Sequence, residues 1–535
     1  MTAPFKHPQI VDVRGNPLKA QGAYKAGRMT RELAAWRPAR QSADSDLLGQ
    51  LPTIQARATD LSRNYALTSG AHQLILDNVI GTGLTLAPMP NFHVLGMSEE
   101  WAKEWRRDVK QKFLNWAYDD DNVIDASRRN TLAGLFGLAF RSFLIHGEIL
   151  ASAEWITQKN VSYKTAIQVI DPLRLENSNM AMDTESLRAG VYLGKYGQPI
   201  AYNIRMGGEM ELTSQTWKKI WKETAFGRRQ IFHHFEAQRP GQSRGVTGLA
   251  SVLAKSKMLE KFQDHALESA IVNSMYAAYI KSSMPHLDVA GALGVTPSSP
   301  EQQLAGILSA KADYYANADF IKLDGVKIPH LYPDEEIVFT SANHPSPAFD
   351  QFERAMIRQL AAGIGISYEQ LARDYRDTNY SGARAGLLEA WKFFTSRRLL
   401  IAAPFGNWVY SLWLEEAIDS GEIDIPKRRG ETPIEAYWRQ KAAITDCEWT
   451  GNAKGHIDPL KETRADIEEV KFGLSTLQEK CANRGLDWED VIRQRAEEME
   501  FAIQVGKAKG LPDFMIEKLI TGDVATGIMT DGQTQ

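Results

Sequence analysis

The chain has 535 residues, 43% of them hydrophobic and 24% charged, which excludes a mainly disordered chain, a collagen-like repeat and a small disulfide scaffold. Lys+Arg total 62 against 66 Asp+Glu, a formal net charge of −4, so no strong positive field surrounds the whole molecule as it would in a protein that grips nucleic acid over its entire surface. The N-terminus lacks an apolar signal-peptide core and no run approaches ~18 uninterrupted apolar residues, so no membrane span is expected; the chain is expected to stay in a cytoplasm or in something assembled there.

Residues 1–56 have little apolar periodicity and predict a partly irregular N-terminal arm. Its 21–41 stretch is basic, with Lys25, Arg28, Arg31, Arg37 and Arg40 against Glu32. Residues 57–80 predict a helix closed by Gly81. In 98–118, Trp101, Trp105, Val109, Phe113 and Trp116 recur at helical spacing behind Ser98 as N-cap. Residues 131–146 predict a third helix, ending at Gly147; 148–240 alternates between turns and short apolar runs, as strands in hairpins or meanders do. Residues 57–240 therefore form an α+β lobe.

After a Pro/Gly turn at 240–248, the chain has no Pro or Gly until Ser283, which predicts a helix about 50 Å long at 1.5 Å per residue. Its polar and apolar residues are mixed around the circumference, which suits packing against like neighbours. Met284-Pro285 breaks it. Residues 284–345 predict a small α/β insertion, with a short helix after Pro300 and a hairpin turn at Asp324-Gly325. A second helix covers 347–364, a polar, aromatic loop 367–381, and a helix kinked at Pro404 covers 382–419. Beyond the Pro/Gly stretch 423–433 the charge shifts: residues 431–535 carry 20 acidic and 13 basic groups, leaving +3 on the rest, and read as an acidic helical tail.

Chemical motifs are weak. Cys447 and Cys481 lack zinc-site spacing and predict two free thiols. His233, His234 and Glu236 are close in sequence, but in a strand His233 faces away from the other two, and no HExxH supports a metal. Asp119, Asp120, Asp121 and Asp125 fail the calcium-loop pattern, with Ile124 where Gly is needed and Asn130 where a bidentate Glu is needed. The glycines of 78–86 are not followed by GK[ST], and there is no GxSxG. His146 and Glu148 suit a helix-to-strand junction better than an acid–base pair. No catalytic set, metal or cofactor is expected.

The order of elements and several blocks resemble the lambda-type portal proteins of tailed bacteriophages. The blocks are DNVIGTG (77–83), LAFRSFLIHGEI (138–149), RPGQSRG (239–245), AAGIGISYEQLARDY (361–375), YSGARAGLLEAW (380–391), IDPLKE (457–462) and FGLSTLQEKCANRG (472–485). The resemblance runs over roughly 20–520 and implies the portal fold: an N-terminal arm (1–56), a wing (57–240), a stem helix (241–283), a clip (284–346), a second stem helix (347–366), a tunnel loop (367–381), a kinked wing helix (382–430) and an acidic helical crown and tail (431–535). It further implies a dodecameric ring at one head vertex of the virion, assembled in host cytoplasm. The ring would pass double-stranded DNA without reading its sequence. Its implied partners are the terminase large subunit, major capsid and scaffold proteins, and head–tail connector proteins.

A closed ring needs two different complementary faces on each subunit. Lys255, Lys257 and Lys261, alternating with Glu260, Asp264 and Glu268, are the candidate stem interface; the alternative is an ordinary solvated helix face. A channel for moving DNA must not bind it tightly, since each neutralised phosphate adds affinity and salt dependence. In the loop, Arg373, Arg376, Tyr375, Asn379, Tyr380 and Ser381 are candidates for phosphate and sugar contacts, tempered by Glu369, Asp374 and Asp377. Arg384 and Tyr368 are expected only to pack or pair. The competing functions are a phage nuclease or ATPase, which lacks the required motifs, and a capsid-shell or head-completion protein, which rarely needs two long helices flanking a small insertion.

Overall fold

A computed structural model of the chain describes residues 35–157, 161–206, 216–275, 279–282, 321–323, 326–328, 335–338, 347–376, 378–451 and 459–521, with isolated positions 159, 306, 309, 312, 313 and 316. The 57–80 region is two helices, α2 (Leu51–Asn64) and α3 (Ala66–Val79), after a short α1 (Ala43–Leu47). No Pro or Gly breaks them. Tyr65 sits between them in an extended conformation (φ −108°, ψ 116°), buried, with its hydroxyl 3.3 Å from Gln263 Oε1. A tertiary contact thus makes a break that local propensity does not signal.

The strand β1 (Thr85–Pro88) and the single turn α4 (Phe92–Leu95) lead into α5 (Glu99–Ala117). Ser98 caps α5, accepting the Trp101 N–H at 3.2 Å, and Trp105, Val109, Phe113 and Trp116 form its buried face. Helix α6 (Leu132–His146) ends at Gly147 and runs into β2 (Glu148–Trp155). The strands of 148–240 build two antiparallel sheets. One has the order β3 (Thr165–Ile170), β2, β8 (Ile231–Phe235); the other runs β4 (Leu187–Arg188), β5 (Val191–Leu193), β6 (Pro199–Met206), β7 (Thr216–Trp221). Mixed α and β is the class the sequence predicts.

The long helix is shorter than its Pro-free run. A 3₁₀ turn covers Gly248–Ser251, α7 spans Leu253–Met275 (about 35 Å), and β9 (Tyr279–Ser282) follows. In the insertion, β10 (Ile321–Leu323) pairs antiparallel with β11 (Val326–Ile328), and β12 (Glu335–Val338) pairs back to β9; the expected turn at Asp324-Gly325 lies outside the described residues. The chain closes β9 by a non-local partner, which a pattern of helix-compatible residues does not reveal. Most of 283–346, and the arm 1–34, lie outside the described residues.

Helix α8 spans Pro347–Ile364 and the single turn α9 Tyr368–Ala372. The 382–419 helix is α10 (Tyr380–Arg397), a π turn (Arg398–Ala402) and α11 (Ala403–Asp419). Pro404 has no N–H to give the Leu400 carbonyl, and His234 Nε2 approaches that oxygen to 2.7 Å instead. Helix α11 is buried nearly all round, and Phe405, Trp408, Tyr410 and Trp413 meet Phe113, Phe136 and Phe232 in an aromatic core. Gly406 lets the Trp449 ring approach: a Cβ there would stand 2.5 Å from it.

Helix α12 (Pro433–Ile444) and β13 (Cys447–Thr450) complete this same core through Ala436, Tyr437, Ile444 and Trp449, and β13 pairs antiparallel with β1. The compact lobe therefore continues through the charge boundary near 430. The helices that follow, α13 (Pro459–Lys471), α14 (Leu477–Asn483), α15 (Trp488–Ala508) and α16 (Asp513–Thr521), contribute no buried residue to this core.

Candidate functional site

The strand β2 and the turn that leads into α7 meet around one buried charge. Glu148, the first residue of β2, is fully buried. Arg244 Nη2 donates to its Oε1 at 2.6 Å, and the Gly245 N–H donates to its Oε2 at 2.9 Å. His233 Nε2 lies 3.0 Å from Oε2. Arg244 Nε also donates to the carboxylate at 3.1 Å, Nη1 reaches the carbonyls of Leu175 and Ala189 at 2.6 and 2.7 Å, and Nη2 that of Pro172 at 3.1 Å. Burial alone would raise the Glu148 pKa; Arg244 and His233 outweigh it and hold the carboxyl well below its usual range. Two glycines make room. A Cβ on Gly147 would stand 2.1 Å from the Val246 carbonyl carbon, and one on Gly245 would stand 2.3 Å from the Gly147 oxygen. The HGE and SRG motifs are therefore two halves of one joint that fastens the wing to the base of α7.

Above this joint, α7 and α8 form an antiparallel-looking pair held by side chains: Lys255 Nζ donates to Gln359 Oε1 (2.8 Å), and the rings of Phe262 and Phe349 stack at 5.2 Å. Of the predicted stem-interface residues, Lys255 is thus used within the chain. Lys257 pairs with Glu260 at 2.8 Å and lies 3.7 Å from Asp60. Glu268 lies 3.1 Å from His265, while Lys261 and Asp264 are exposed. Five of the six are exposed and Glu260 is half-buried; Lys255, Lys257, Glu260 and Glu268 have partners within the chain.

The loop begins with a capping box: Ser367 accepts the Gln370 N–H at 3.3 Å, and Gln370 Oε1 accepts the Ser367 N–H at 3.1 Å. Arg373 ends α9 in the left-handed region (φ 52°) and is exposed. Tyr375 is 57% exposed. Arg376 grips Asp374 with a two-point fork, Nε to Oδ1 and Nη2 to Oδ2, each 2.9 Å. Those hydrogen bonds hold the Asp374 carboxyl well below its usual range. Asn379 caps α10, accepting the Gly382 N–H at 2.7 Å, and Ser381 is exposed. Tyr380 opens α10; Asp377 lies outside the described residues. Tyr368 packs under the Arg358 guanidinium, 5.2 Å from its ring centre, whereas Arg384 is exposed.

The remaining sequence signals have structural partners. Asp125 accepts from the backbone and hydroxyl of Ser127 and from both nitrogens of Asn130, closing a turn. Glu236 pairs with Arg397, on the side of β8 that His234 also faces, and His233 faces Glu148. Among the described residues no three His, Cys, Asp or Glu side chains converge as metal ligands.

A model of the family described as phage portal protein, lambda family, matches residues 29–398. The chain belongs to that family. It is 34% identical to portal protein B of Escherichia phage lambda over 473 residues, 87% of each chain, and 34% identical to the portal protein of Escherichia phage N15 over 503 residues, 92% of this chain and 93% of that one. Among solved structures it is similar to a chain in the neck of an empty GTA particle (13% identity, TM-score 0.41, covering 66% of this chain and 80% of that one) and to one in the virion of a native gene transfer agent particle (13%, 0.40, covering 82% and 99%). In this lambda-family portal chain, sequence reasoning missed two features of the site: the Glu148–Arg244 joint and the Asp374–Arg376 fork. A charged residue opening an apolar strand, as in HGEIL, and an Arg inside a Gly-flanked turn, as in SRG, are the signals that pointed to the first.

Proposed function

We propose that the chain forms a closed ring, twelve-membered in the assembled head, at one vertex of a phage particle. It would be the channel through which DNA is packaged and ejected, and act as a structural component in place of an enzyme. The observation that carries this is membership of the lambda portal family, whose model matches residues 29–398, with 34% identity to a portal protein over 87% of the chain. The two helices α7 and α8 on either side of an insertion, and the exposed charges Lys261 and Asp264 on α7, support it. On this reading the wing is 57–240 with 382–450 folded into it, the stem is α7 and α8, and the clip is 284–346. The tunnel loop is 367–381, and the crown begins at α13, because 433–450 belongs to the wing core. The clip would dock the terminase motor and later the connector proteins, and the wing would face major capsid and scaffold proteins. Arg373, Tyr375, Arg376, Asn379, Tyr380 and Ser381 would meet phosphate and sugar in the lumen.

End-on class averages of the purified protein by negative-stain electron microscopy test this. Closed rings with an axial hole are expected. Open lattices, or compact dimers carrying nuclease or ATPase activity, would overturn it.

A further inference from the structure

The loop contains a cation and, two residues away, a carboxylate already shaped to it. Arg376 is largely exposed (75% of its side chain), yet its Nε and Nη2 face is taken by both oxygens of Asp374, whose side chain is only 17% exposed. The Arg376 N–H also donates to Asp374 Oδ1 at 3.3 Å, so a turn sets the fork before any partner arrives. The left-handed Arg373 turns the chain immediately before it. A guanidinium presents this planar two-point face to carboxylate and phosphate alike. Asp374 thus occupies the surface that a DNA phosphate would use.

We infer that Asp374 is a built-in competitor for phosphate at Arg376, setting how weakly each loop holds a passing duplex. This rests on the tunnel-loop reading above. Arg376 is largely exposed and the pair is local, two residues apart, so its own strength is small. It lowers the occupancy of Arg376 by phosphate about two- to fivefold per loop, and does not abolish it. Each contact is then a brief exchange of carboxylate for phosphate. Several loops touching one duplex multiply the factor, so a modest local competition separates a sliding ring from a sticking one. It also supplies what an overall charge of −4 does not: weakening placed at the cation itself.

The test is duplex binding by assembled wild-type, Asp374→Asn, Glu369→Gln, Arg376→Gln and Asp374→Asn/Arg376→Gln rings over a range of salt. Asn keeps an oxygen for the turn but loses the charge; ring assembly is checked by electron microscopy. Asp374→Asn is expected to tighten binding at least about fivefold and to steepen the plot of log K against log salt by about 0.9 for each phosphate newly neutralised. Adding Arg376→Gln should cancel both effects, and Glu369→Gln, the same charge change elsewhere in the loop, should do little. If Asp374→Asn tightens binding equally with and without Arg376, the effect is general charge and the competitor role is overturned. If Arg376→Gln weakens binding while Asp374→Asn changes nothing, the competitor role also fails but the loop reading stands. If none of the loop variants alters binding, the tunnel-loop reading itself falls.

Discussion

Glu148 and Arg244 are both nearly inaccessible, and each satisfies the other. Arg244→Ala leaves a buried, uncompensated carboxylate and should cost about 3–5 kcal/mol, seen as a lower unfolding midpoint. Glu148→Gln combined with Arg244→Met removes both charges and should recover part of that loss; a double variant as unstable as the single one would count against the pairing argument. Buried histidines make the fold acid-sensitive in a separate window. Burial, helped by Arg141, lowers His72 from 6.5 to about 4, and burial also lowers His146 and His234. Between pH 6.5 and 4 the unfolded chain binds a proton that folded His72 refuses. Stability is therefore full above about 6.5 and falls as pH drops, by on the order of 3 kcal/mol from His72. Glu148, with its depressed pKa, contributes stability that is lost only below the usual carboxylate range. Denaturation midpoints measured from pH 7.5 to 4 should slope downward toward acid, and less steeply in His72→Gln. Glu148 and His233 stood out in the sequence within HGE and HH, but whether they were catalytic or structural depended on partners 85–96 residues away.

The elements that local patterning governs agree with the sequence reading: α5 with its Ser98 cap, α6 ending at Gly147, and α8 from Pro347 to Ile364. Those that differ were decided by distant partners, as with Tyr65 on Gln263, β9 on β12, and His234 on the carbonyl that Pro404 leaves vacant. Helix α15 meets α5 through charges also remote in sequence. Arg106 donates to Glu489 at 2.9 Å, and Lys110 to Asp487 and Asp490 at 2.7 and 2.8 Å, at the acidic N-terminus of α15. The Lys110 and Asp487 side chains are mostly shielded, so the contact exceeds an ordinary surface pair. Arg106→Ala/Lys110→Ala should speed limited proteolysis of α13–α16 at low salt, with wild type approaching the same rate at high salt. Equal rates at low salt would show that apolar packing alone holds the crown.

At the scale of the whole chain, the boundary that charge suggests near 430 and the boundary of the core differ. Tyr437, Ile444 and Trp449 are all but buried within the wing core, and β13 closes on β1. A chain ending at Gly451 should keep a cooperative thermal transition and near-native helicity for its length; one ending at Gly430 should not fold. Circular dichroism on the two truncations distinguishes these outcomes.

The sequence by itself determined the α+β class, the helices with one clear apolar face, and the family. Each of these is written in short-range periodicity, in Gly and Pro placement, or in motif spacing that survives along the chain. Only the tertiary structure decided that HGE and SRG form one joint, that the acidic tail first completes the wing, and that Arg376 is already engaged. Burial, register and ion pairing depend on which distant residues meet, and no local pattern carries that information.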